Sequence, residues 1–255
     1  MTRLLDDRVV LITGAGGGVG RGIALACASA GARVLIAEKN VSQGRSAADE
    51  ICERGGVAHF AACDVSRRAE VESAVASALE HFGQLDALVH NATSNRSPLP
   101  NAIEDVDARL LAEHASVALR GAYCCARASF EALREREGQL VILTSPAGME
   151  GGATLPLYSS VKAGQRAFVK SLSKEWGPEG VRVNAISPLA TTPAMLRAFE
   201  ADPSLQNELE SLIPLGRIGE PELDVGSATT LLLSDRSRYI TGQTWVIDGG
   251  RYTGL

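Results

Sequence analysis

Short apolar runs alternate along the chain with longer stretches in which apolar residues recur every three or four positions. The runs are RVVLIT (8–13), ARVLIA (32–37), VAHFAA (57–62), DALVH (86–90), GQLVILT (138–144), VRVNAI (181–186) and QTWVI (243–247). Most are continuously apolar rather than alternating, which is the pattern of strands covered on both faces. Between them lie VGRGIALACASAGA (19–32), VESAVASALEHFG (71–83) and YSSVKAGQRAFVKSLSKEWG (158–177), with the spacing of helices that bury one stripe. Strand and helix alternating in this way predict right-handed βαβ units, and so an α/β chain with a doubly wound parallel sheet of seven strands and helices on both faces.

No internal repeat, low-complexity tract or linker interrupts the pattern, so residues 1–255 are read as a single domain. Two segments read as loops, TSNRSPLPN (93–101) and the stretch from Pro188 to Gly219, and the region around 189–219 is the expected substrate loop or lid. Ligands of such sheets sit beyond the carboxyl ends of the strands, where both segments fall.

Charge narrows the partners. Lys and Arg number 25 against 30 Asp and Glu, a formal net charge of −5 without a basic run, so nucleic acid is not an expected partner and a small molecule is. The N-terminus MTRLLDDRVV lacks the apolar stretch of a signal peptide, and no apolar run approaches the roughly 18 residues of a membrane span. A cytoplasmic protein is expected. Cys27, Cys52, Cys63, Cys124 and Cys125 show no C-x-x-C spacing and read as small buried residues rather than disulfides or zinc ligands. His59, His81, His90 and His114 are scattered and read as surface or core histidines, so no metal site is expected.

TGAGGGVG (13–20) lies between the first strand and the first helix. Glycines there permit a tight turn and close approach of a pyrophosphate, and the helix N-terminus offers free N–H groups and a positive dipole end. The strict G-x-G-x-x-G pattern is absent, because position 19 is Val19; the spacing is T-G-x-x-x-G-x-G. Glu38 closes the second strand, where a carboxylate can accept hydrogen bonds from both adenine-ribose hydroxyls and repel a 2′-phosphate. Further on, Tyr158 and Lys162 stand four apart on one helix face. By itself that spacing serves a plain helix surface as well as it serves a phenol whose pKa an ammonium lowers.

The glycine spacing resembles that of the short-chain dehydrogenase/reductase family, and the likeness runs along nearly the whole chain. Gly14, Gly18 and Gly20 fill the glycine positions, Asp64-Val65 the adenine-holding segment, Asn91-Ala92 the N-A-G segment, and Ser145, Tyr158 and Lys162 the catalytic positions. The resemblance implies a Rossmann-like fold and a hydride transfer between a nicotinamide dinucleotide and a secondary alcohol or ketone. Tyr158 would be the general acid/base, Lys162 would lower its pKa and hold the nicotinamide ribose, and Ser145 would hydrogen-bond the substrate oxygen. Gly14, Gly17, Gly18, Val19, Gly20, Glu38, Asp64, Val65, Asn91, Ala92, Tyr158, Lys162, Pro188 and Thr192 would contact the cofactor. Glu38, with Gly17 where the family's NADP users often carry a basic residue, favours NAD over NADP; the adjacent Lys39 is the feature that speaks for NADP.

The chain departs from the family pattern at four places. Val117-Ala118-Leu119-Arg120-Gly121 stands for V-N-L-x-G, so the catalytic asparagine is replaced by Ala118; His114, one turn earlier, is either its substitute or a plain helix histidine. Thr93 replaces a glycine, His90 an asparagine, and Leu189 the glycine after Pro188. These departures leave a second reading open, a weakly active or inactive dinucleotide-binding homologue that signals or assembles. Met149, Leu155, Leu157, Leu189, Met195, Leu196 and Phe199 suggest a mainly apolar substrate, and Arg96 is a solvated loop arginine or a contact for an acidic one. The family also implies a homotetramer or homodimer through helices near 105–134 and 156–177, with Gly121, Ala122, Ala126 and Ala128 permitting close approach.

Overall fold

The structure is a computed structural model, and it describes residues 3–254 apart from Asn95, Pro98 and Leu99. Its strands are β1 (Val9–Thr13), β2 (Arg33–Glu38), β3 (Val57–Ala62), β4 (Ala87–His90), β5 (Gln139–Leu143), β6 (Arg182–Pro188) and β7 (Thr244–Ile247). All pair in parallel in the order β3-β2-β1-β4-β5-β6-β7. Strand order reverses between β1 and β4, so a crevice opens beyond their carboxyl ends, the place where doubly wound sheets bind ligands.

The helices are α1 (Gly18–Ser29), α2 (Val41–Glu53), α3 (Arg68–Phe82), α4 (Ala108–His114), α5 (Gly121–Glu135), α6 (Ala147–Glu150), α7 (Pro156–Trp176), α8 (Pro193–Ala201), α9 (Pro203–Ser211) and α10 (Ser227–Leu233). A π-helical turn, Ala115–Arg120, joins α4 to α5, and another, Pro221–Gly226, leads into α10. No helix is long and apolar enough to cross a membrane among the described residues.

The period of two in each strand divides the core. Val9 and Leu11 of β1, Leu35 of β2 and Leu88 of β4 pack against α3, α5 and α7. Val10, Ile12, Val34, Ile36 and Val89 point the other way, onto α1, α2 and α10. His90 follows Val89 and therefore turns toward the α5 side, where a Cβ on Gly121 would come within 3.0 Å of its imidazole.

Three expectations need correction. The segment from Pro188 to Gly219 is not irregular: it carries α8 and α9, each begun by an N-cap whose side chain accepts a backbone N–H (Thr192 from Met195, Asp202 from Ser204) and by proline in the first turn. Cys52 is exposed, on the outer side of α2, whereas the other four cysteines are buried. Gly121, Ala122 and Ala126 are buried inside their own subunit, and the half-buried Ala128 packs on the same core; Gly121 is small because His90 and Val65 lie against it, so the three buried residues present no surface to a partner.

Candidate active site

The glycine loop leaves β1 with Gly14 at φ +66° and Gly18 at φ +53°, left-handed values that glycine adopts without strain. A Cβ on Gly14 would press on Ala92 at 2.8 Å, and one on Gly20 would run into the Gly14 carbonyl oxygen, so the loop, α1 and the end of β4 close tightly on one another. Asn91 fastens them: its Nδ2 donates to the Thr13 and Gly14 carbonyls at 3.2 and 2.8 Å. The outer side of the loop is open, with nothing within 4 Å of a Cβ placed on Gly17 and only Pro193, at 3.6 Å, near one on Gly18. The first turn of α1, which includes Val19, has neither an acidic residue nor a side-chain cap. That arrangement fits a pyrophosphate, whose charge would meet uncapped N–H groups.

Glu38 ends β2 beside this loop. Its carboxylate accepts from the Gly16 N–H at 3.2 Å and the Asn40 N–H at 2.9 Å, which fixes it at the mouth and leaves further lone pairs for ribose hydroxyls. Lys39 is exposed. Asp64 lies just beyond β3; burial raises its pKa, but hydrogen bonds from the Ser66 hydroxyl and N–H outweigh this and hold it below the usual carboxylate range. Val65 is buried against Gly121. Pro188 ends β6, and Thr192 caps α8 rather than standing free.

Ser145 follows β5 by two residues, and α7 sets Tyr158 and Lys162 opposite it. The Ser145 hydroxyl hydrogen-bonds the Tyr158 phenol. Lys162 is buried, its ammonium 5.8 Å from the Tyr158 ring centroid and donating to the Leu143 carbonyl at 2.8 Å. Burial lowers the ammonium's pKa to about 8. The expected depression of the phenol's pKa is not found in the chain alone: burial raises it, and the hydrogen bond from Ser145 offsets this only in part. The Lys162 charge approaches the ring face, while its strongest contact is with a strand carbonyl.

Two histidines complete the surroundings. His114 shares a small, partly open hollow with Val106, Leu110, Leu155, Leu157 and Tyr158; the Ser97 hydroxyl lies 3.2 Å from its Nδ1, and burial lowers its pKa. His114 thus lies beside the phenol. His90 is fully buried, and sequence reasoning gave it no role. Its Nε2–H donates to the Ala118 carbonyl at 3.1 Å, where Gln165 Nε2 also donates at 3.1 Å. Arg96 pairs with Glu113 at 3.7 Å, and Met149, Leu189, Met195 and Phe199 are half-buried while Leu196 is exposed. Among the described residues no group of three or more His, Cys, Asp or Glu could hold a metal.

The chain matches, over residues 14–252, the family model described as Enoyl-(Acyl carrier protein) reductase. It is 34% identical to L-rhamnose 1-dehydrogenase (NAD(P)(+)) of Azotobacter vinelandii, over 99% of this chain and 99% of the relative. It is 35% identical to a 3-oxoacyl-[acyl-carrier-protein] reductase of Synechocystis, over 96% and 97%. A solved structure, the 3-ketoacyl-(acyl-carrier-protein) reductase of Brucella melitensis complexed with NADH, superposes with a TM-score of 0.88 at 31% identity, covering 97% of this chain and 99% of that one. Full-length likeness at these identities, on a doubly wound sheet with the glycine loop and the Ser145, Tyr158 and Lys162 group in place, means that the chain belongs to the short-chain dehydrogenase/reductase family of oxidoreductases, which act on alcohol and ketone groups.

Proposed function

We propose that the chain is an NAD-dependent, cytoplasmic dehydrogenase or carbonyl reductase in which Tyr158 exchanges a proton with the substrate oxygen. The observation that carries this reading is the desolvated Tyr158 phenol hydrogen-bonded by Ser145 with the Lys162 ammonium over its ring. A phenol with a raised pKa is protonated at neutral pH, so it is loaded to donate to the alkoxide formed from a ketone. Ser145 stabilises the same oxygen as charge develops on it. Lys162, buried and charged, lowers the cost of the phenolate left behind and holds the nicotinamide ribose. Gly14, Gly17, Gly18, Val19 and Gly20 would hold the pyrophosphate, Glu38 the adenine ribose, Asp64 and Val65 the adenine, and Asn91, Ala92, Pro188 and Thr192 the nicotinamide half. Bound there, the nicotinamide supplies or accepts the hydride.

The half-buried Met149, Leu155, Leu157, Leu189, Met195 and Phe199, with α8 and α9 as one wall, support a mainly apolar secondary alcohol or ketone. Incubation with NADH and a panel of ketones, among them 3-oxoacyl thioesters, tests the reading by loss of NADH fluorescence. The same panel with aldoses and NAD runs the reverse direction. Binding of NADH without turnover of any class in either direction would overturn the proposal and restore the non-catalytic alternative, for which no feature among the described residues speaks.

NAD(H) is expected to bind at least about tenfold more tightly than NADP(H), because a 2′-phosphate would meet the Glu38 carboxylate. Titration with both cofactors checks this, and equal affinities would show that Lys39 neutralises the acid. We also propose a dimer or tetramer, with the exposed residues Tyr123 of α5 and Ala163 and Ala167 of α7 in place of the buried small residues. Light scattering at micromolar concentration should give a multiple of the 26.7 kDa chain, and a monomer would remove this proposal.

A further inference from the structure

Tyr158, Lys162 and Gln165 stand at i, i+4 and i+7 of α7, on one face of the helix. Gln165 is 0% exposed. Its Nε2 donates to the Ala118 carbonyl at 3.1 Å, yet its Oε1 has no partner. Buried amide oxygens are rarely left unpaired, because the interior offers no bulk water in exchange. The carbonyl that Gln165 grips lies in the π-helical turn Ala115–Arg120 and takes a second side-chain donor, His90 Nε2 at 3.1 Å. Such turns recur at functional sites, and this one is clamped by β4 and α7 together.

One turn before Gln165 on the same face, the Lys162 ammonium carries three N–H groups and gives one of them to the Leu143 carbonyl at 2.8 Å. We propose that Gln165 is a positioning residue for the Tyr158 and Lys162 pair: its amide N–H anchors α7 to the Ala118 carbonyl, and its amide oxygen accepts a hydrogen bond from the Lys162 ammonium through one buried water. The titratable groups that face Lys162 are Tyr158 from its own helix and His90 from β4, and the ammonium in turn disfavours a charge on His90. Burial lowers the lysine's pKa, and among the described residues no carboxylate forms an ion pair with it. A neutral acceptor is therefore what can keep the ammonium charged without fixing it in an ion pair. The inference rests on the reading of Tyr158 as acid/base.

The test titrates the cofactor-free protein labelled with ¹³Cε-lysine, in which Lys39, Lys170 and Lys174 are exposed and only Lys162 is buried. Gln165→Leu, which removes donor and acceptor, should lower the midpoint of the buried lysine by about half a pH unit or more; Gln165→Glu, which puts a carboxylate in the same volume, should raise it. In the same preparations Gln165→Leu should lower kcat about tenfold with the dissociation constant for NADH within about twofold of the wild type. An unmoved midpoint in both variants overturns the proposal, and so does an unchanged kcat. If Gln165→Leu does not fold, the isosteric Gln165→Glu decides alone by whether its midpoint rises. Tyr158→Phe keeps the two ideas apart: turnover surviving that change would remove the acid/base reading, while the lysine titration would still judge Gln165.

Discussion

Tyr158→Phe is expected to lower kcat by about 10²–10⁴, the range of a lost general acid, while NADH binds within about twofold of the wild-type affinity. The ring stays, so the packing around it stays; what is lost is the oxygen that Ser145 hydrogen-bonds. Folding should be nearly unaffected, since the phenol is desolvated in the native chain and its removal relieves that cost. Lys162→Ala should behave differently. It deletes a buried ammonium that donates to the Leu143 carbonyl and stands over the phenol, and NADH affinity and kcat should fall together. Stopped-flow or steady-state rates beside fluorescence titration of NADH separate the two patterns. If Tyr158→Phe kept most of the wild-type rate, the proton would have to come from elsewhere, and the neighbouring His114 would be the first group to examine.

The strands were legible because they are covered on both faces, which leaves continuous apolar runs whatever else the sequence does. Their ends shift by a residue where polar side chains turn outward, as Arg8 does toward Asp86 and Asp235. The glycine loop was legible for a geometric reason: positive φ at Gly14 and Gly18 and the contact of Gly20 with Gly14 admit no other residue comfortably. By contrast, α8 and α9 were hidden by their own start signals. Thr192-Pro193 and Asp202-Pro203 are an N-cap and a first-turn proline, but in a polar, largely exposed stretch they read equally as loop punctuation. The convergence of His90 and Gln165 on the Ala118 carbonyl lay further out of reach. Gln165 in a helical window looks like a surface residue, and only the docking of α7 on the π-helical turn buries it. The direction of the Tyr158 shift depended on desolvation, which no spacing along a chain reports.

His90 should make the stability of the fold depend steeply on acid. Thr13 Oγ1 accepts the N–H groups of Asn91 and Ala92, at 3.2 and 3.3 Å, so its own hydrogen is free for His90 Nδ1 at 3.1 Å. His90 Nε2–H then goes to the Ala118 carbonyl. The imidazole is thus neutral, and a second proton would set an N–H against the Thr13 hydroxyl hydrogen. Burial, reinforced by the Lys162 charge, lowers its pKa from 6.5 to about 4. Between these values the unfolded chain binds a proton that the folded chain refuses, so stability falls as pH falls from 6.5 toward 4, by on the order of 3 kcal/mol in all. Above pH 6.5 both states are neutral at this position and it adds no slope. Urea unfolding of the wild type and of His90→Asn across pH 7.5 to 4.5 isolates the effect, because carboxylates common to both cancel in the difference. Asparagine cannot titrate, and its amide occupies the place of the Nδ1 edge beside Thr13 without reaching the Ala118 carbonyl. At pH 7.5 the variant should be the less stable of the two, for want of the imidazole's packing and its bond to the Ala118 carbonyl. By pH 4.5 the difference should have moved in the variant's favour by about 2–3 kcal/mol. Parallel curves for the two proteins would mean that His90 accepts its proton in place, and the hydrogen-bond chain from Asn91 through Thr13 to Ala118 would have to run in another sense.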